Sequence, residues 1–255
     1  MTHLKIGLLN LMTDKKQTNS NFEQVLNQNN NVDLTYYYSA SRYSEPPEPN
    51  MKPLKLEELK YLDGFIISGS PVERISDDKI TYLPEVHDLL NYLHKSDIIQ
   101  LYVCWGAMEA LAHLYGIRKK PLSKKDFGVY QNRIVQSDPL LKDIPTGYLA
   151  PNARYTEMDL SQVNEDERLE VLSVTENNLL SLAKSNIANQ TFLFNHLEYH
   201  KDDLDKEYQL EIASGKVPNA FKAHNYYKNN QPTFEWQESQ EKFFNNWLNT
   251  FKRGN

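Results

Sequence analysis

Along the first half of the chain, short apolar runs alternate with longer stretches whose apolar residues recur at helical spacing, which predicts parallel strands joined by helices. Leu4-Lys-Ile-Gly-Leu-Leu-Asn-Leu-Met is mostly apolar, as expected of a central strand covered on both faces. The polar residues from Asn19 precede Phe22, Val25 and Leu26, which share one helical face. Val32-Asp-Leu-Thr-Tyr-Tyr-Tyr then completes a first β-α-β unit. Residues 39–53, rich in proline, serine and glutamate and without periodicity, predict a surface loop. Gly64-Phe-Ile-Ile-Ser is the next buried strand and breaks into the turn-prone Gly69-Ser-Pro-Val-Glu-Arg. Residues 82–95 place Val86, Leu89, Leu90 and Leu93 on one side of a helix. The run Ile98-Ile-Gln-Leu-Tyr-Val ends abruptly at Cys104, and residues 107–115 turn helical.

Beyond that helix the pattern changes. Phe127-Gly-Val-Tyr-Gln-Asn-Arg-Ile and Leu169-Glu-Val-Leu-Ser-Val alternate like half-exposed strands, and Asn177-Asn178 is a hairpin signal before Leu179-Leu-Ser-Leu-Ala. Thr191-Phe-Leu-Phe begins as a buried strand and runs into the titratable His196, Glu198 and His200. Helices are expected over residues 204–214, stopped by Gly215, and over residues 241–251. The fold class is α/β: a doubly wound, mostly parallel sheet with antiparallel additions in the second half. No repeat, low-complexity tract or linker divides the sequence, so residues 1–255 read as a single domain. Ligands of such sheets gather beyond the carboxyl ends of the strands.

Composition narrows the function. With 40% apolar residues the chain can build a sizeable core, and no run approaches the roughly 18 apolar residues of a membrane span. The start of the chain enters a strand without a charged-then-apolar leader, so a cytoplasmic location is expected. A single cysteine excludes an internal disulfide framework and any multi-cysteine zinc site. The net charge of −6, with basic residues interspersed, argues against nucleic acid as a partner. The local exception is Arg118-Lys-Lys with Lys124-Lys125, a run suited either to a phosphorylated co-substrate or to a solvated loop.

Cys104 sits where a buried strand meets a helix. Such a corner exposes the side chain beside the first N–H groups of the helix, which favour the nucleophilic thiolate. His196 falls at the carboxyl end of another predicted core strand. Glu198, two residues on, would point to the same side in extended conformation and orient the imidazole. A nucleophile, a base and an orienting carboxylate can thus be assembled, with His200 able to stand in for either partner. The same corner would suit an amidotransferase or a cysteine peptidase equally well.

Several ordered blocks, spread nearly end to end, give the sequence a more specific likeness. Lys5-Ile-Gly-Leu-Leu-Asn-Leu-Met, Gly64-Phe-Ile-Ile-Ser-Gly-Ser-Pro-Val-Glu, Val103-Cys-Trp-Gly-Ala, Tyr115-Gly-Ile, Phe127-Gly-Val-Tyr, Ala150-Pro-Asn-Ala-Arg-Tyr-Thr-Glu, His196-Leu-Glu-Tyr and Asn246-Trp-Leu-Asn together resemble the homoserine O-acyltransferase family. That family includes serine O-acetyltransferase members and is related in fold to class I glutamine amidotransferases, a flavodoxin-like architecture. Tyr102 stands where many amidotransferases carry glycine. The resemblance implies an acyl-enzyme mechanism in which Cys104 attacks an acyl-CoA thioester, His196 is the base and Glu198 holds it. The backbone N–H of Trp105, with one from the Gly69-Ser70 turn, would meet the tetrahedral oxyanion. Lys125 matches a substrate-binding lysine.

The resemblance also locates the specificity residues. Glu73 stands where family members differ between glycine and glutamate, and a carboxylate there would repel the terminal carboxylate of a succinyl group. Acetyl-CoA is therefore the expected donor, as a co-substrate, with no permanently bound cofactor and no metal. Ala153 replaces a serine, and Leu210 falls where an arginine for the acceptor carboxylate is expected, which leaves Arg154 or another cation to take that role. The expected acceptor is L-serine, as in cysteine biosynthesis, slightly ahead of L-homoserine, as in methionine biosynthesis. Alternatives are a homoserine O-succinyltransferase, a glutamine amidase-type hydrolase, or a binding protein that has lost catalysis. The chain starts about where the family's first core strand begins, without the usual N-terminal extension, so any homodimer is expected to be arranged differently.

Overall fold

The computed structural model describes residues 3–27, 31–215 and 221–251. In chain order its main elements are β1 (Leu4–Leu9), α1 (Lys15–Leu26), β2 (Val32–Tyr38), β3 (Met51–Pro53), β4 (Gly64–Ile67), α2 (Leu83–His94), β5 (Ile99–Val103), α3 (Trp105–Tyr115), β6 (Lys119–Ile134), β7 (Tyr148–Met158), α4 (Leu160–Glu165), β8 (Leu169–Thr175), β9 (Leu180–Ser185), β10 (Gln190–Leu193), α5 (Asp203–Ser214) and α6 (Gln237–Thr250). These ten strands form one sheet in the order β3-β2-β1-β4-β5-β10-β9-β8-β6-β7.

The first six strands in that order pair in parallel, and the last four join antiparallel. The apolar character of β1 and β4 follows from their place, since each has a strand on both edges and layers on both faces, and every residue of β4 is buried. From β1 the chain crosses to β2 on one side, whereas from β4 it crosses to β5 on the other. Right-handed crossovers then place α1 and α2 on opposite faces of the sheet. Helix α1 packs on α6, and α2 on α3. Phe22 of α1 meets Phe244 of α6 edge to face, with ring centroids 6.4 Å apart, a geometry worth about 0.5–1.5 kcal/mol beyond area burial. The reversal between β1 and β4 is the switch point at whose carboxyl edge such sheets place ligands.

The predicted hairpin is present: Asn178, at φ 57°, turns the chain between β8 and β9. Gly215, at φ 61°, ends α5 as expected. One expectation needs correction. Residues 39–53 are not wholly loop, because Met51–Pro53 adds an edge strand on which Met51 is buried. Strand β7 has no clear alternation in the sequence, because polar Asn152, Arg154 and Glu157 are buried along it. Among the described residues, no helix is long and apolar enough to cross a membrane.

Candidate active site

Strand β5 ends at Val103 and α3 begins at Trp105, leaving Cys104 alone in the corner. Its backbone lies at φ 50°, ψ −114°, a region that costs a non-glycine residue on the order of 1–3 kcal/mol. The surroundings impose that conformation. Cys104 N–H donates to the Leu193 carbonyl of β10 at 2.7 Å, and Met108 N–H donates to the Cys104 carbonyl at 3.0 Å. Gly106 lets α3 approach β4 closely, since a Cβ there would lie 2.8 Å from the Ile67 carbonyl oxygen. Cys104 is buried, yet it lines a pocket of about 120 Å³.

His196 reaches the same pocket from the end of β10, with its N–H donating to the Pro151 carbonyl of β7 at 2.7 Å. The imidazole Nδ1 lies 2.7 Å from Glu198 Oε1, the Cys104 thiol is its other hydrogen-bond partner, and the ring stacks on Tyr199 with centroids 4.3 Å apart. Burial alone would lower the imidazole pKa, but Cys104 and Glu198 outweigh it and raise His196 well above the ordinary range. The protonated imidazolium is the state of His196 that this arrangement favours. The residues meet through a turn rather than the extended geometry expected, because β10 ends at Leu193 and Tyr199 N–H donates back to the His196 carbonyl at 2.9 Å. His200 is excluded from both roles: it does not line the pocket, and its backbone N–H donates to Asp203.

The Gly69-Ser70 turn closes the third side. A Cβ on Gly69 would stand 3.3 Å from Cys104 Cβ and 3.4 Å from His196 Cε1, so the turn lies against both. The Ser70 hydroxyl is held 2.6 Å from the Tyr82 hydroxyl. The Trp105 indole is buried and does not line this pocket; its backbone N–H stands at the head of α3, where helix N–H groups lack intrahelical acceptors. Three residues past Ser70, Glu73 turns into the pocket, accepting the Tyr155 N–H on Oε2 at 2.6 Å and leaving Oε1 without a partner. Burial is the main cause that lifts its pKa to about 7.

On the opposite wall stands Lys125 of β6, which is buried with its Nζ 2.6 Å from Glu207 and 2.5 Å from Glu211, both on α5. Burial would lower its pKa, yet the two carboxylates together raise it, so it stays charged. Ala153 lines the pocket beside it, and so does Tyr155, two residues on along β7, whose hydroxyl donates to Glu211 at 3.2 Å.

Two expected substrate contacts are not in the site. Arg154 alternates to the other face of β7, is fully buried, and is spent on Glu157 at 2.9 Å, the Leu180 carbonyl at 2.9 Å and Asp126 at 3.8 Å. Leu210 is 64% exposed and lines no wall of the pocket; its neighbour Glu211 and, one turn earlier, Glu207 are the residues of α5 that face in. The basic run also disperses: Arg118 and Lys120 pair with Asp159, Lys119 with Glu109, and only Lys125 reaches the site. Sequence reasoning missed Tyr155, Glu207, Glu211 and Arg74. The four-residue spacing of the two glutamates on one helix face, and the two-residue step from Ala153 to Tyr155, were the available signals.

A family model described as "Homoserine O-succinyltransferase" matches residues 1–253. A serine O-acetyltransferase of Lactobacillus acidophilus is 45% identical over 98% of this chain and 96% of its own length. A homoserine O-acetyltransferase of Streptococcus mutans is 30% identical over 96% of this chain and 81% of its own. Among solved structures, a glutamine amidotransferase of Thermotoga maritima superposes over the whole of both chains with a TM-score of 0.70 at 12% identity, a likeness of fold alone. A thiol, an imidazole and a carboxylate at the carboxyl edge of that fold, in a chain matched over nearly its full length, agree on one conclusion: the protein belongs to the homoserine O-succinyltransferase family of amino-acid O-acyltransferases.

Proposed function

We propose that the protein transfers an acetyl group from acetyl-CoA, through a thioester on Cys104, to the side-chain hydroxyl of L-serine, with L-homoserine the second choice. The observation that carries this reading is the strained Cys104 corner, with His196 as its hydrogen-bond partner and Glu198 2.7 Å behind the imidazole. The Cys104 thiolate attacks the thioester carbonyl of the donor, and the oxyanion that forms is met by the backbone N–H groups of Trp105 and Ser70. Collapse expels CoA thiolate, which takes the proton of the His196 imidazolium. Cys104 is then a neutral thioester, so one of the two charges that raised the imidazole pKa is gone. The imidazole, held by Glu198, now accepts the proton of the acceptor hydroxyl, whose oxygen attacks the thioester. Departure of the Cys104 thiolate restores the ion pair.

The donor preference rests on Glu73, whose unpartnered Oε1 occupies the pocket where a succinyl carboxylate would have to lie. The acceptor preference is supported by the 45% identical relative that bears the name serine O-acetyltransferase. Lys125 would serve the acceptor through the two carboxylates it holds, beside Ala153.

The test is a side-by-side assay of CoA thiol release from acetyl-CoA with L-serine and with L-homoserine. Release is expected with both, faster with L-serine. No release with either at saturating donor would sink the proposal, and glutamate release from glutamine without CoA would favour the amidase alternative. Cys104→Ala should abolish both turnover and the acetyl adduct seen by intact mass, since the chain has no other cysteine.

A further inference from the structure

An α-amino acid brings a carboxylate and an ammonium group, and the pocket must match both. Lys125 is already bonded to two carboxylates, so the Glu207–Lys125–Glu211 cluster carries a net negative charge and suits the ammonium end. Arg154 is consumed behind β7, and Leu210 faces away. One guanidinium remains. Arg74 lines the pocket at its mouth and takes part in no ion pair among the described residues.

Its position is set by the turn in which Ile75 N–H donates to the Val72 carbonyl at 2.8 Å. That turn sends Glu73 inward and leaves Arg74 exposed, with its guanidinium carbon 5.0 Å from the centre of the Tyr155 ring. The same Tyr155 donates its hydroxyl to Glu211 at 3.2 Å. One aromatic side chain therefore supports an unpaired cation at one end and a carboxylate at the other, with Cys104 and His196 lining the same pocket.

We infer that Arg74 anchors the α-carboxylate of the amino-acid acceptor, while Glu211 and Glu207 receive its α-ammonium group. This rests on the acyl-transfer reading above. The planar guanidinium offers paired N–H donors that match a carboxylate, which a lysine already committed to two glutamates does not. The acceptor would lie along Tyr155 with its hydroxyl directed toward His196.

The experiment compares L-serine with L-serinamide, in which the carboxylate becomes a neutral amide, using the full-length protein, Arg74→Gln and Arg74→Lys. A charge-assisted hydrogen bond is worth about 1.5–3 kcal/mol, or about 10–150-fold in binding. Arg74→Gln should raise the KM for L-serine by about tenfold or more while moving that for L-serinamide by less than about twofold, and Arg74→Lys should recover part of the loss. An unchanged KM for L-serine, or equal increases for acid and amide, would overturn the assignment of Arg74. Intact mass of the wild-type protein separates the two failures. If acetyl-CoA leaves no adduct on Cys104, or the adduct is not discharged by L-serine or L-homoserine, the acyl-transfer reading falls and the inference falls with it. An adduct that forms and discharges, alongside an insensitive KM in Arg74→Gln, defeats the Arg74 assignment alone.

Discussion

The two walls of the pocket are built in different ways. On the parallel side, Ser70 and Cys104 follow β4 and β5 within three residues, and backbone hydrogen bonds hold their positions. On the antiparallel side, Lys125 of β6 meets Glu207 and Glu211 of α5 across 82 and 86 residues of sequence, through side chains alone. Strand ends move little without disturbing the sheet, whereas long side chains on a helix can be exchanged with the fold intact. On the proposed mechanism, reaction chemistry belongs to the first wall and choice of acceptor to the second, so selectivity would change without the thiol, imidazole and carboxylate being touched.

The largest effect is expected from striking the first wall. Glu198→Gln keeps the size of the side chain but removes one of the two charges that raise His196 above the ordinary imidazole range. The imidazolium is then less favoured, and the amide no longer fixes which nitrogen carries the proton. Loss of about 10²–10⁴-fold in kcat is expected, as for other orienting carboxylates. Steady-state CoA release checks it, and a loss below about tenfold would mean that Glu198 is not the orienting group.

The same division governs how much could be read from the sequence. Cys104 and His196 were legible because an apolar run that stops at a reactive side chain is itself the signature of a parallel strand ending at the ligand edge. Glu73 was legible only through the family likeness. The second wall resisted for reasons of geometry. Ala153 and Arg154 are adjacent, and on a strand adjacent residues face opposite ways, so they could not both enter the pocket. Leu210 and Glu211 differ by about 100° around a helix, and nothing local says which of them faces inward. Arg74 sits in an irregular turn with no periodicity to follow, and the ring it lies against, Tyr155, is 81 positions away.

Glu73 sharpens the comparison because it joins the walls, following β4 in sequence and bonding Tyr155 of β7. Its carboxyl, lifted to about 7 by burial, is ionised above that pH and neutral below it. The terminal carboxylate of succinyl-CoA stays ionised throughout this range, so repulsion should fade as the pH drops from about 8 to about 6. The succinyl-to-acetyl ratio of kcat/KM is expected to rise up to about tenfold over that interval in the wild type. In Glu73→Gly the ratio should be higher and flat with pH. A flat ratio in the wild type would mean that the charge of Glu73 does not select the donor. The same titration has a sign for stability: a folded pKa above the unfolded value stabilises the protein at low pH, and that contribution is lost as pH rises through about 7. Glu73→Gln should therefore narrow the fall in stability on the alkaline side, measured as denaturant midpoint at about pH 6 and about pH 8.

The smallest effect is expected at the position where the family likeness pointed to the largest. An arginine at 210 would restore the cation expected for the acceptor carboxylate, yet Leu210 is 64% exposed and α5 presents Glu207 and Glu211 to the pocket instead. A guanidinium at 210 would extend into water, where substitutions usually change free energies by less than about 0.5 kcal/mol. Leu210→Arg should thus leave the KM for L-serine and for L-homoserine within about twofold of wild type. A drop of tenfold for either acceptor would show that α5 turns its other face to the substrate. The side-chain wall would then be set by a rotation of this helix rather than by the Lys125 pairings that hold it, and the acceptor carboxylate would have a second anchor competing with Arg74.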